Sequence, residues 1–258
     1  MVKKIMVVFF GLFAVLIVLS IVFLSGKMKL LASPDGKTVY ELRVHEGRLQ
    51  HALRHGGVQL FSWSDIALED VDGNALVPEK LEITRSNART GEFEVAAFPR
   101  GVRLLVRVTD SYAAAAFYDF PAETSLRERV EVRPESGALG VQFSPESVEE
   151  GTDERKIARP FLFVAPKADG GDTFLVYHHT ESAEQPRPRF VYDFAALAPV
   201  NFTAETVYEK GTPNGVLHVL YFSDSPVLLR EIYDAGVPAE PFPTLGRAPE
   251  NEGENDAR

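Results

Sequence analysis

The stretch that decides the fold is Val102-Arg103-Leu104-Leu105-Val106-Arg107-Val108, followed shortly by Ala114 to Pro121 (AAAFYDFP). Branched and aromatic residues recur here with a period near two rather than 3.6. The same period marks segments on either side, namely Thr38 to Val44, Phe93 to Ala97, Val130 to Arg133 and Val216 to Phe222. Half-buried β-strands produce this pattern, because successive side chains point to opposite faces of a sheet. The sequence therefore predicts many short strands.

Turn residues separate these apolar runs at the spacing of β-hairpins. No long helical pattern lies between the turns, so the chain is predicted to form one all-β sandwich or barrel over residues 32–237. The turn signals include Pro34-Asp35-Gly36, Glu46-Gly47, Gly56-Gly57, Asp72-Gly73-Asn74 and Pro213-Asn214-Gly215.

Composition excludes several classes of function. The 258 residues carry 37 acidic and 27 basic side chains, a formal net charge of -10, which argues against nucleic acid or another polyanion as a partner. With no cysteine, the chain has no disulfide, no thiolate metal site, no cysteine nucleophile and no acyl-cysteine anchor. We predict no cofactor.

The N-terminus carries an apolar segment, Ile5 to Leu24, which runs twenty residues without a charge. As a helix it would span about 30 Å, the thickness of the hydrocarbon core of a bilayer. Residues 1–26 are therefore predicted to form a single transmembrane helix that anchors the protein in a membrane. A cleaved secretion signal is the alternative, but its apolar stretch usually has about 7–15 residues and a small-residue cleavage site follows it.

The orientation of this anchor depends on a small charge difference. Lys3 and Lys4 on one side balance Lys27 and Lys29 on the other, and the N-terminal amine tips the balance inward. An N-in anchor would place the main domain outside the cytoplasm, in the periplasm or the extracellular space.

Three further segments do not fit the strand pattern. Residues 145–159 are highly charged and residues 181–189 contain two prolines, so both are predicted to be surface loops. Residues 238–258 contain four prolines and five acidic side chains with little to bury, so they are predicted to be a disordered acidic tail.

The histidines do not form a convincing metal site. His178 and His179 are adjacent in a strand-like run, so their side chains should point to opposite faces of the sheet and cannot chelate one ion together. His45, His51 and His55 surround a predicted hairpin turn at Glu46-Gly47, but no carboxylate is fixed beside them by spacing. Asp70 to Asn74 resembles the start of a calcium loop, yet its Asp-Gly pair is a stronger hairpin signal.

No nucleophile motif, phosphate-binding loop or zinc-binding helix occurs, so we assign no catalytic residue and no metal ligand. Carboxylates such as Glu128 and Glu131 are plentiful, but the sequence does not show whether two of them flank a cleft. Trp63 is the only tryptophan, and an exposed indole could stack on a sugar face. Trp63 is therefore the candidate carbohydrate-binding residue; a position in the core or at its rim is the alternative.

The order of segments near the start of the domain resembles glycoside hydrolase family 97. The matching elements are Ser33-Pro34-Asp35-Gly36-Lys37, the strand Val39 to Val44, Gly47-Arg48-Leu49 and Val58-Gln59-Leu60. The strand pair quoted first is similar to the family's pair in which an R-V-Y-D-D turn leads to G-V-A-F-R-Y and a proline. The resemblance covers about residues 31–121 and implies the family's N-terminal domain, a β-supersandwich similar to galactose mutarotase.

Two departures limit what the resemblance implies. Alanines at Ala113 to Ala116 replace the family's glycine, and Phe117 stands where the family has an arginine before the tyrosine. Members of the family are α-glucosidases and α-galactosidases. Their catalytic carboxylates and most of their calcium ligands lie on a (β/α)8 barrel that follows this domain. The resemblance thus implies the sandwich alone, without the catalytic barrel, and no catalytic residue is carried over.

Three functions are compatible with these sequence features. The first is a non-catalytic, membrane-anchored carbohydrate-binding or accessory domain. The second is an envelope scaffold or protein-interaction domain, which would need an apolar patch or an exposed strand edge. The third is a stand-alone carbohydrate-active epimerase or hydrolase, for which His178, His179 and His218 are the candidate histidines.

Overall fold

The structure is a computed structural model that describes residues 27–78, 80–134, 139–142, 161–166, 171–179, 189–193 and 201–236. The predicted anchor, most of the two predicted loops and the predicted tail lie outside these residues. Within them, no helix is long and apolar enough to cross a membrane.

Fifteen described strands form two antiparallel sheets. Sheet A has seven strands in the order β1-β2-β3-β4-β9-β14-β13, and sheet B has eight in the order β10-β11-β12-β15-β8-β7-β6-β5. The prediction of an all-β sandwich is confirmed. The strands are β1 (Met28–Ala32), β2 (Thr38–His45), β3 (Arg48–His55), β4 (Val58–Asp70), β5 (Glu82–Asn87), β6 (Glu92–Ala96), β7 (Arg103–Val108), β8 (Tyr112–Tyr118), β9 (Leu126–Pro134), β10 (Leu139–Gln142), β11 (Phe161–Pro166), β12 (Asp172–His179), β13 (Arg189–Asp193), β14 (Asn201–Tyr208) and β15 (His218–Ser223).

The main core lies between the two sheets and is built by alternation along each strand. On β9, for example, Leu126, Val130 and Val132 are buried, whereas Arg129 between them is only half-buried. Large side chains from both sheets meet in this layer, including Phe61 of β4 and Phe117 of β8, both almost fully enclosed. Burial of this apolar surface is the main force that holds the sheets together.

A second, smaller core covers the outer face of sheet B. The ten-residue helix α1 (Pro226–Ala235) packs there through Leu229, Ile232 and Tyr233. Ser225 caps its N-terminus, where the Oγ accepts a hydrogen bond from the backbone N–H of Leu228. The strand and turn patterns of the sequence did not predict this helix.

The predicted hairpin turn at Glu46-Gly47 is confirmed. His45 pairs with Arg48, so the turn has two residues, and both have positive φ, 52° and 73°. This is the conformation of a type I′ turn, whose twist matches that of the flanking strands.

Candidate functional site

Trp63 lies at an irregularity of β4 on the outer face of sheet A. Between Phe61 and Ser64 the register with β3 shifts, so that β4 has one residue more than its neighbour. Ser64 is buried and its Oγ accepts a hydrogen bond from the backbone N–H of Arg133 at 3.0 Å, which secures the bulge. Bulges of this kind re-aim side chains, and here Trp63 is left half-buried.

The indole of Trp63 is held beneath a guanidinium group. Cζ of Arg43 lies 4.1 Å from the ring centroid, a cation–π contact. Nε of Arg43 donates to Gln50 Oε1 at 2.8 Å, and Nε2 of Gln50 donates to Asp65 Oδ1 at 2.8 Å. Arg48 donates to the other oxygen of Asp65 at 2.9 Å. A chain of hydrogen bonds across β2, β3 and β4 therefore fixes Arg43 over one face of the tryptophan.

The chain of hydrogen bonds ends at a groove of about 450 Å³ on the same side of the molecule. Two ion pairs lie along it, Arg48 with Asp65 and Arg129 with Glu69, the latter at 3.3 Å. The β2–β3 turn and the segment after β4 form its apolar wall. Its lining comprises Gly47, Arg48, Leu49, Asp65, Ile66, Ala67, Leu68, Glu69, Ala75, Leu76, Pro78, Phe98, Arg129, Glu131 and Thr203.

The chemistry of this groove suits a polar, uncharged ligand. Its two arginines donate hydrogen bonds to Asp65 and Glu69, and its third carboxylate, Glu131, pairs with Arg133 beside the groove, which leaves little net charge. A hydroxyl group both donates and accepts hydrogen bonds. Two neighbouring hydroxyls of a ligand can therefore accept from the arginine and donate to the carboxylate of one ion pair. The groove volume falls within the range of about 300–1,000 Å³ that is usual for ligand pockets.

A second polar cluster lies inside the sandwich. Tyr208 donates its hydroxyl hydrogen to Glu128, and Nε2 of His218 lies 3.0 Å from the other carboxylate oxygen. Nδ1 of His218 is 2.5 Å from the hydroxyl of Tyr177, and the N–H of Val216 donates to the hydroxyl of Tyr208 at 2.9 Å. Glu128 and Tyr208 belong to sheet A while Tyr177 and His218 belong to sheet B, so the cluster joins the two sheets.

A buried pair of side chains, Tyr40 and His51, lies beside this interior cluster. The hydroxyl of Tyr40 is 2.7 Å from Nδ1 of His51, and Nε2 of His51 is 2.6 Å from the carbonyl oxygen of Glu131. A carbonyl only accepts, so Nε2 carries the hydrogen and Tyr40 donates to Nδ1. Burial, with a smaller contribution from nearby His218, lowers the pKa of His51 to about 4. Burial also raises the pKa of Tyr40 far above its usual value of 10.

The interior cluster borders a cavity of only about 10 Å³, enough for about one water molecule. Glu128 is 0% exposed and His218 is 5% exposed. A sugar ring cannot reach these groups in this conformation. The contacts therefore hold the sheets together, although their residue types are those expected of an epimerase or hydrolase.

The remaining candidate histidines are dispersed. His45 is exposed beside Glu46, while Nδ1 of His55 is 2.9 Å from the hydroxyl of Thr38. His178 is half-buried on the outer face of sheet B, with its ring against Tyr233 of α1. The side chain of His179 lies outside the described part of the structure. Among the described residues, no group of three or more histidine, aspartate or glutamate side chains could hold a metal ion.

The segment from Asp70 to Asn74 forms a turn. Oδ1 of Asp70 accepts hydrogen bonds from the backbone N–H groups of Asp72 and Asn74, and Gly73 has a φ of 82°. Hydrogen bonds from Asn74 and Asp72 lower the pKa of Asp70. The turn sends the chain back beside β4, where Glu69 and Ala75 form an isolated bridge, so no simple hairpin follows.

Solved structures with this arrangement include large carbohydrate-active enzymes. A β-arabinopyranosidase superposes with a TM-score of 0.53 at 13% identity, over 78% of this chain and 41% of that chain. A glycoside hydrolase family 97 enzyme from Pseudoalteromonas sp. strain K8, in complex with acarbose, superposes with a TM-score of 0.52 at 14% identity, over 76% of this chain and 36% of that one. The chain shares its fold with part of each of these enzymes.

The resemblance inferred from the sequence is thus confirmed at the level of the fold. The chain spans about two fifths or less of the length of these enzymes. No family model matches the sequence, and no curated protein matches it. The replacement of the family's arginine by Phe117 is accommodated in the core, where Phe117 packs edge-on against Phe98 with 5.5 Å between ring centroids.

The sequence indicated Trp63 as a candidate and gave no indication of the groove near it. Asp65, Arg48 and Glu69 are ordinary polar residues on the solvent side of strands, and nothing in their spacing singles them out. The one available signal was alternation: Asp65, Ala67 and Glu69 all fall on the outward positions of β4.

Proposed function

We propose that this protein is a non-catalytic carbohydrate-binding or accessory domain, a β-supersandwich of the galactose mutarotase type, that takes a glycan in the groove on the outer face of sheet A. The observation that carries the proposal is the groove itself: about 450 Å³ lined by paired arginines and carboxylates. The protein shares its fold with part of two glycoside hydrolases, which supports a carbohydrate-related role.

Trp63 contributes to this site from its edge. Because Arg43 covers one indole face, a sugar stacks there only if Arg43 moves aside; otherwise it meets the groove through hydrogen bonds. Stacking changes the surroundings of the ring directly, and a ligand bound at Asp65 acts on them through the hydrogen bonds of Gln50 and Arg43. Trp63 is therefore the natural reporter of binding as well as the proposed carbohydrate-binding residue, and it is the only tryptophan of the chain.

Titration of the full chain in mild detergent with a panel of glucans and galactans tests the proposal. We expect at least one glycan to quench or shift the emission of Trp63 at millimolar concentration or below. We expect no turnover of α-glucosides or α-galactosides. A panel that leaves the emission unchanged would favour the second candidate function, an interaction scaffold.

The scaffold function has an observation of its own. Val227 and Leu228 are exposed next to one another on α1, and apolar side chains of this kind contribute to protein interfaces. They lie on the opposite sheet from the groove, so the two functions can be separated by substitution.

We propose further that residues 1–26 anchor the protein in a membrane with the sandwich outside the cytoplasm, in the periplasm or the extracellular space. Twenty uncharged residues from Ile5 to Leu24 support this proposal. The protein should stay in the membrane fraction in high salt and leave it only with detergent. Recovery of a soluble mature protein that lacks this segment would instead indicate a cleaved signal.

A further inference from the structure

The end of sheet A at which β1 begins carries exposed apolar side chains. Four large ones lie there in the described structure: Met28, Val71, Val77 and Val207, exposed by 39%, 61%, 53% and 50%. Strand pairing places Met28, Val71 and Val207 at one end, because β1 and β3 begin where β2 and β4 finish, and β14 finishes beside them. Val77 lies at the same end, beside Gly47 of the β2–β3 turn and next to Leu76, whose N–H donates to the carbonyl of Leu68. We call these four residues the apolar rim.

The chain reaches the rim directly from the predicted membrane segment. The carbonyl of Lys27 already accepts a hydrogen bond from the N–H of Val44 at 2.7 Å, so the chain is fixed to sheet A from Lys27 onward. Three residue steps separate Lys27 from Leu24, the last residue of the apolar segment. Even fully extended, this connection spans about 11 Å at most. Sheet A must therefore lie close to the bilayer that the segment would span.

Val71 forms the tip of the rim. It extends further toward the predicted membrane from the level of Lys27 than the connection from Lys27 to Leu24 can span. Lys27 is level with Val44, Leu49 and Ile66 across the sheet, and Val71 lies five residues beyond Ile66. The four strand steps from Ile66 to Asp70 already extend about 13 Å, and Val71 follows in the turn. With the strands upright on the membrane, Val71 reaches the headgroup layer, which is about 5–8 Å thick on each side.

Charged side chains of both signs surround the rim. Lys27 and Lys29 flank Met28, whereas Asp70 and Asp72 flank Val71. Glu46 and Arg48 at the β2–β3 turn are both strongly exposed. Contact with a membrane would therefore rest on apolar side chains at the interface rather than on attraction to anionic lipid.

We propose that the apolar rim rests on the surface of the membrane in which the chain is anchored. The inference depends on the proposed anchor and holds whether or not a glycan binds. Because Gly47 and Leu76 of the groove lie beside the rim, docking would hold the groove next to the lipid headgroups.

The absence of native cysteine allows single labels to be placed at will. The variants Val71→Cys and Val77→Cys would each carry an environment-sensitive fluorophore. The quenching of each fluorophore would be measured with the full-length protein reconstituted into phosphatidylcholine nanodiscs that contain a nitroxide lipid. Val227→Cys is the matched control, because Val227 is 69% exposed and follows Phe222, whose ring packs on His55 at the far end of sheet A.

We expect the nitroxide lipid to quench the labels at positions 71 and 77 about threefold or more strongly than the label at position 227, since only the rim would touch lipid. Unchanged quenching in high salt would support apolar contact. Equal quenching at all three positions would overturn the proposal. That result would leave the glycan titration in detergent unaffected, so the two proposals fail separately.

Discussion

Replacement of Glu128 by alanine is expected to destabilise the sandwich by about 3–5 kcal/mol, the usual cost of removing one partner of a buried, hydrogen-bonded charge. The substitution leaves the Tyr208 hydroxyl and Nε2 of His218 without their acceptor in a core that water cannot reach freely. It also breaks the polar connection between sheets A and B.

Urea unfolding in mild detergent, followed by circular dichroism, measures this change. Glu123→Ala is the control, because Glu123 is exposed in the connection between β8 and β9. Its effect should remain within about 0.5 kcal/mol. A similar small loss for Glu128→Ala would mean that the cluster contributes little to the stability of the fold.

Acidification should destabilise the protein through His51. Its pKa is about 4 in the folded state and 6.5 in the unfolded chain, so the unfolded chain binds the proton more readily between these values. The stabilisation is fully present above pH 6.5 and is lost as the pH falls toward 4. Over that interval the loss amounts to about 3 kcal/mol, since each pKa unit corresponds to about 1.4 kcal/mol.

Other groups also titrate in this interval, so the comparison with variants is decisive. His51→Gln removes the titrating ring, and its unfolding free energy should fall less between pH 7 and pH 4.5 than that of the native protein. His45→Gln should behave like the native protein, because His45 is exposed. Parallel pH profiles for all three proteins would show that His51 is not responsible.

Local patterns predicted the strands and the short turns well. Glu46-Gly47 lies between two alternating runs, a pattern that predicts a two-residue hairpin turn. Because that turn fixes the register, the pairing of β2 with β3 followed from it. The Pro213-Asn214-Gly215 signal was less informative. The turn lies just before it, where the N–H of Thr212 donates to the carbonyl of Glu209, and Asn214 instead bridges Tyr118. The chain here crosses from sheet A to sheet B, since β14 and β15 lie in different sheets. A turn signal describes the local backbone and not the sheet that the next strand joins.

Helix α1 was missed because it is short and the strand pattern before it is strong. Its local signals were nevertheless present, with Ser225 as N-cap, Pro226 in the first turn and Gly236 after the last residue. Apolar residues at positions 228, 229, 232 and 233 complete the pattern.

The candidate sites depended on contacts that no local pattern contains. Glu128 and His218 are ninety residues apart in sequence, and only the packing of β9 against β15 brings them together. The place of Trp63 depends on a one-residue bulge in β4, which decides which face of the sheet each neighbour occupies. The sequence could indicate Trp63 as a candidate, but it could not place Asp65 and Gln50 beside it.

The central claim is that the groove on sheet A binds a glycan, and calorimetric titration with Asp65→Asn tests it most directly. Asp65 accepts hydrogen bonds from Arg48 and Gln50 at the edge of the groove, whereas Asp234 accepts one from Arg230 on α1, far from it. For the best glycan of the panel, Asp65→Asn should weaken binding about tenfold, or about 1.4 kcal/mol, and Asp234→Asn should leave it unchanged. Equal affinity for all three proteins would contradict the claim.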